Sequence, residues 1–140
     1  MCSSDLGSVD PGLLLHQLRQ GLGVDSLDHA LHQESGLLGL SGLSGDMATL
    51  RQAAASGHGG AGLAIAVFRH RLRTEIGAMA ACLGGVEVLA LSGGIGEHDG
   101  ALRQELADEL SWLGDYKLRV VAADEEGLIA RRCRIAAAGG

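Results

Sequence analysis

Ser92-Gly93-Gly94-Ile95-Gly96-Glu97-His98 joins an apolar run, residues 86–91, to an amphipathic segment that begins near Asp99. That order reads as strand, glycine turn and helix. Glycine permits positive φ and carries no Cβ, so a ligand can come close to the main chain. The free N–H groups at the start of the following helix favour anionic oxygen. The stretch therefore predicts an α/β arrangement with room for a nucleotide at the turn. A Gly-Gly-x-Gly turn also serves as a plain connection between elements, and by itself it leaves both readings open.

Beyond the turn, residues 99–113 carry Leu102, Leu106 and Leu110 on one helical face. Residues 117–122 read as a second strand and 125–132 as a last helix. Upstream, Ile65, Phe68, Leu72, Ile76, Met79 and Leu83 recur at spacings of three and four, which predicts a long helix over 61–83 with a buried apolar stripe. Asp10-Pro11-Gly12 supplies an acidic cap and a proline for a short helix ending near Gly21. A second helix is expected from Ser26 to Glu34 and a third over 46–55, closed by a flexible break at Ser56-Gly57-His58-Gly59-Gly60. Residues 35–42, with three glycines, read as a loop holding a short extended piece. Strands alternating with helices predict an α/β lobe whose first half is strongly helical.

A chain of 140 residues with 46% hydrophobic content can bury one modest core, so one domain or one lobe of a larger protein is expected. Aromatics make up 2% and the formal charge is −6, which disfavours both base stacking and phosphate-backbone binding, so no nucleic-acid partner is expected. Arg69, Arg71 and Arg73 read as the solvated face of a helix. Cys2, Cys82 and Cys133 are far apart and suggest neither a zinc site nor a disulfide framework, which fits a reducing cytoplasm. The most apolar region, 76–91, is broken by Gly84, Gly85 and Glu87, short of the ~20 residues that cross a bilayer, so no membrane span is expected. The N-terminus lacks the basic region and apolar core of a secretory signal.

Five stretches occur in an order that resembles the acetate and propionate kinase family, in the actin-like and sugar-kinase ATPase superfamily. They are Gly7-Ser8-Val9-Asp10-Pro11, Ser35-Gly36-Leu37-Leu38-Gly39-Leu40-Ser41-Gly42, Ser44-Gly45-Asp46-Met47, Gly93-Gly94-Ile95-Gly96-Glu97 with Arg103 downstream, and Asp124-Glu125-Glu126-Gly127-Leu128-Ile129-Ala130. The resemblance implies a helix-rich, ribonuclease H-like C-terminal lobe of such a kinase over residues 7–140. It implies ATP/ADP and Mg²⁺ as cofactors, a nucleotide and a small carboxylate as substrates, acetyl phosphate as product, and a homodimer made through this lobe. Carried over by position, Asp46, Met47 and Ala48 belong to the adenosine pocket, and Gly93, Gly94, Ile95, Gly96, Glu97 and His98 to the adenosine and phosphate turn. Glu125 matches the magnesium-associated glutamate, in keeping with the hard oxygen ligands that Mg²⁺ takes.

Each position has a second reading that needs no ligand. Asp46 can cap the helix that follows it. Glu97 and Asp99 can favour the positive end of the helix after the turn, and Glu125 and Glu126 that of the last helix. His98 stands where the family has asparagine, and can serve the nucleotide region or face solvent. His29 and His32 have a helical spacing open to a metal, although scattered surface histidines are commoner.

Three departures bear on activity. Asp5 occupies a family arginine position, and its charge would repel a transferring phosphoryl group. Ala48 replaces an arginine beside the adenosine pocket, and the connection over 112–118 is short. The family's acid/base and anion-binding groups lie mainly in an N-terminal lobe expected to be absent here, so the chain alone is expected to be inactive. Residues 1–6 read as a non-native leader. The alternatives are a catalytically dead nucleotide-binding or regulatory module, or part of a propionate or butyrate kinase.

Overall fold

Asp10 opens the first helix, α1 (Pro11–Arg19), as the sequence predicts: its carboxylate accepts the Gly12 N–H at 2.7 Å, and Pro11 occupies the first turn. The computed structural model describes residues 9–138, without the side chains of 125, 126 and 136–138. The readings of residues 1–6 as a leader and of Asp5 at an arginine position lie outside the described residues. Two compact units divide at Phe68 and Arg69.

In the first unit, α2 (Val24–His29) begins two residues before the expected Ser26 and passes into a π-helical turn, Ala30–Glu34. His32 Nδ1 bonds the Asp28 carbonyl and carboxylate there, at 2.9 and 3.1 Å, and His29 faces Glu34 at 3.5 Å. The two histidines thus pair with acids of their own segment.

The expected loop at 35–42 is instead a helix, α3 (Gly36–Ser41), ended by Gly42 in the left-handed conformation at φ 63°. Its central glycine answers to packing: a Cβ on Gly39 would lie 2.6 Å from the Glu34 carbonyl oxygen. The expected break at 56–60 is likewise narrower. Gly59 and Gly60 already belong to α5 (Gly59–Leu83), whose Ala61 N–H is capped by His58 Nδ1 at 3.0 Å. A Cβ on Gly60 would meet the Ser41 carbonyl oxygen at 2.6 Å, so glycine lets helix and chain close here. Between them runs α4 (Met47–Ala55). Met47, Leu50, Ala61, Ala64 and Ile65 form this unit's buried core.

In the second unit, β1 (Val88–Leu91) and β2 (Lys117–Val120) pair in parallel, with Val88 opposite Lys117 and Leu91 opposite Val120. Among the described residues the sheet has these two strands, as expected of 86–91 and 117–122, and Val88 and Val120 are exposed on it. Leu102 and Leu106 along α7 (Gly100–Glu109) and Leu110 at its C-terminal cap are fully buried, as their spacing predicts, and the chain continues through a 3-10 turn, Ser111–Leu113. The stripe on α5 fares differently. Ile65 is buried, Phe68, Leu72 and Ile76 are half-buried, and Met79 and Leu83 are 56% and 76% exposed. Arg69 is not a solvated charge either: it bonds Glu109 at 2.6 Å and Glu105 at 3.2 Å, and so ties α5 to α7. The last helix, α8 (Glu125–Ala138), outruns its expected end at 132.

Candidate functional site

Residues 93–98 do not form an open turn ahead of a helix. They are a helix themselves, α6 (Gly93–His98), and Asp99 then caps α7 by accepting the Leu102 N–H at 2.9 Å. The three glycines of α6 have separate causes. Gly93 has φ 77°, which favours glycine, and a Cβ on Gly96 would come within 3.3 Å of Leu91 Cβ on β1. Gly94 has neither reason. Its φ is ordinary, it is exposed, and a Cβ there would meet nothing within 4 Å. Glycine in a helix costs ~1 kcal/mol relative to alanine, and the fold around Gly94 gains nothing in return.

Two charged side chains hold this helix. Glu97 Oε1 accepts the N–H of Gly93 at 2.9 Å and that of Ala123, beyond β2, also at 2.9 Å. Arg103, from α7, donates through Nη1 to the carbonyls of Gly96 and Glu97 at 3.1 and 2.9 Å, where the end of α6 leaves acceptors without helical partners. Glu97 therefore binds its own main chain, in contrast to the simple helix-end charge that was its alternative reading. Ile95 is half-buried and His98 exposed. Glu125 begins α8, but its side chain lies outside the described residues. Its neighbour Asp124 accepts the Gly127 N–H at 3.1 Å and pairs with Arg131 at 3.1 Å. Among the described residues no group of three or more His, Cys, Asp and Glu side chains is placed to hold a metal ion, and no helix is long and apolar enough to cross a membrane.

Among the described residues of the first unit Ser41 is the buried polar residue, and its hydroxyl accepts the N–H groups of Leu43 and Ser44 at 3.1 and 3.2 Å. Ser44 Oγ in turn accepts the Asp46 N–H at 3.0 Å. Asp46 Oδ2 caps α4, accepting the Thr49 hydroxyl at 2.7 Å and its N–H at 2.8 Å. Those bonds, the hydroxyl foremost, favour the ionised carboxylate and hold Asp46 below the usual carboxylate range. Met47 is 4% exposed and belongs to the core, whereas Ala48 is exposed on the first turn of α4. The capping reading of Asp46 is thus satisfied and Ser41 bonds within its own turn, while Glu97 and Arg103 acquire roles that their neighbours in sequence did not announce. The available hint was Arg103 standing downstream of the glycine stretch in the family resemblance.

Comparison with known proteins agrees with these motifs. The sequence model of the acetokinase family matches residues 1–133. An acetate kinase of Synechococcus sp. is 51% identical over 114 residues, which are 81% of this chain and 28% of that protein. The chain thus spans little more than a quarter of that relative's length. Among solved structures, the acetate kinase of Porphyromonas gingivalis superposes with a TM-score of 0.82 at 29% identity, over 90% of this chain and 38% of the other. A propionate kinase of Francisella tularensis gives 0.77 at 28% identity, over 86% and 36%. The fold is therefore that of the acetate kinases, with their actin-like ATPase architecture.

Proposed function

This chain belongs to the acetokinase family, and we propose that it is the nucleotide-binding, C-terminal lobe of an acetate kinase, which moves a phosphoryl group from ATP to acetate. The observation that carries the nucleotide reading is Gly94, an exposed helical glycine with ordinary φ and open space around it, just past the C-terminal end of β1. In open α/β sheets, ligands bind beyond the carboxyl ends of the strands, and a residue without Cβ lets a flat or anionic group reach the main chain there.

The roles then divide by side-chain availability. Gly94, Ile95 and Gly96 offer main chain to the nucleotide, with His98 exposed beside them. Glu97 and the Gly93 N–H are already engaged with each other. For the first unit, taken by itself, the family resemblance is what assigns Asp46, Met47 and Ala48 to adenosine: Asp46 and Ala48 are exposed, Asp46 Oδ2 is engaged by Thr49, and Met47 is buried in the core. ATP supplies the transferring phosphoryl group, and Glu125 is the residue that would hold its Mg²⁺. This chain's own contribution is to hold the nucleotide, since positioning and charge neutralisation supply most of phosphoryl-transfer catalysis.

By itself the chain is inactive in this reading, because the acceptor-orienting groups belong to the family's other lobe. It self-associates as a homodimer and works in the cytoplasm. The likeness to a propionate kinase keeps other short-chain acids within the same proposal.

Calorimetric titration with Mg-ADP tests the site. Gly94→Val puts a branched Cβ into the open space and should abolish binding, while an unfolding midpoint within about 2 °C of wild type shows the fold intact. Equal affinity in the two proteins would overturn the nucleotide reading.

A further inference from the structure

The parallel ladder of β1 and β2 runs two residues at a time: the Lys117 N–H bonds the Glu87 carbonyl at 2.9 Å, and the Val121 N–H bonds the Leu91 carbonyl at 2.8 Å. The next donor in that series is Ala123, and its partner in a longer strand would be the carbonyl of residue 93. At that point the chain has turned away into α6, with Gly93 at φ 77°. The missing acceptor is supplied by a side chain. Glu97 Oε1 takes the Ala123 N–H at 2.9 Å and, with the same oxygen, the N–H of Gly93 at 2.9 Å. The carboxylate thus adds one further rung to the sheet, across a sequence separation of 26 residues.

We propose that Glu97 is a positioning residue, which locks the glycine stretch at the end of β1 to the segment at the end of β2. The functional part of this proposal rests on the nucleotide reading above. Ala123 lies two residues before Glu125, the start of α8, so one carboxylate sets the spacing between the main chain of the glycine stretch and that of the α8 entrance. Bonds to an ionised acceptor are stronger than neutral ones, and two main-chain donors on one oxygen fix both segments relative to a single side chain. Glu97 then acts on the nucleotide through the main chain of Gly93 and Ala123, not by touching it.

The whole 140-residue chain provides the test, with Glu97→Ala and Glu97→Gln. Amide hydrogen exchange is followed by NMR at Gly93 and Ala123, with the buried Leu102 and Leu106 amides as reporters of an intact core. Glu97→Ala should speed exchange at both amides together by at least about tenfold, the range expected for loss of a charge-assisted bond. Glu97→Gln keeps a carbonyl oxygen in place and should restore both to within about threefold of wild type. Mg-ADP affinity should follow the same order, falling in Glu97→Ala and returning in Glu97→Gln.

Acceleration at only one amide, or at neither, overturns the lock. Affinity lost equally in both variants overturns positioning in favour of direct charge contact. Absence of Mg-ADP binding by the wild type would sink the nucleotide reading alone, because the paired exchange at Gly93 and Ala123 needs no ligand and still decides whether the lock exists.

Discussion

Arg103→Met removes one guanidinium and keeps most of the side chain's length. In the folded chain Nη1 reaches the Gly96 and Glu97 carbonyls at 3.1 and 2.9 Å, and both carbonyls sit at the end of α6, where the helix supplies no partner. A hydrogen bond to a charged group contributes about 1.5–3 kcal/mol, and here one nitrogen is shared between two acceptors in a half-buried setting. A loss of about 1–2 kcal/mol is the expected net, or a fall of roughly 3–8 °C in the unfolding midpoint for a chain of this size. Thermal unfolding by circular dichroism measures the first quantity. Hydrogen exchange of the peptide covering 93–99 measures where the loss falls, and it should be confined to α6 and its junction with α7. Arg103→Lys, which keeps the charge but not the planar donor, should recover part of the loss. A midpoint within about 1 °C of wild type, with unchanged exchange over 93–99, would refute the claim that Arg103 closes this helix.

Asp46 makes a pH-dependent contribution of known sign. Its folded carboxylate is held below the usual range by Thr49, so its stabilisation is complete above the ordinary carboxylate value and is lost as pH falls through the folded one. The urea midpoint of wild type should exceed that of Asp46→Ala at neutral pH and converge on it between about pH 5 and pH 2; a constant gap would sink the assignment. The chain alone, free of host kinases, should form no acetyl phosphate from ATP and acetate above a heat-killed control, and product in that assay would remove the proposal of an inactive lobe. Met79 and Leu83 expose 56% and 76% of their surface on one helix, which favours association through that region. Sedimentation should give dimers, and a clean monomer at high micromolar concentration would count against them.

Elements with a strong period were legible from sequence. The leucines of α7 needed only the 3.6-residue repeat, and Asp10 and Asp46 needed only their neighbours, because a cap acts over two or three positions. The two helices read as loop or turn, α3 and α6, each contain a glycine whose cause is a close approach to a residue just ahead of the helix. Gly39 is held against the Glu34 carbonyl and Gly96 against Leu91, and a local rule that treats glycine as a breaker does not register such approaches. The same limit hid Glu97. A glutamate six residues past a strand reads as a charge at a helix end, and its partner Ala123 is visible only once two parallel strands have brought residue 123 beside it. The exposed end of the α5 stripe marks the converse case, where a repeat predicts a face without predicting what covers it.

The composition of α6 makes sense only with those distant partners included. Half of its six residues are glycine, which by propensity alone costs about 3 kcal/mol relative to alanine, and a helix this short has few bonds of its own. The opposing terms sit at its two ends and have the signs that a helix dipole requires: the Glu97 carboxylate at the first N–H, the Arg103 guanidinium at the last carbonyls. At about 1–2 kcal/mol net for each charged end, the two together are of a size to offset the glycines. Support from the ends leaves the middle free of side chains. Gly94 can then stay bare and exposed without the helix unwinding, and a main chain held rigidly but left uncovered is what a site needs if it is to meet a nucleotide without reorganising.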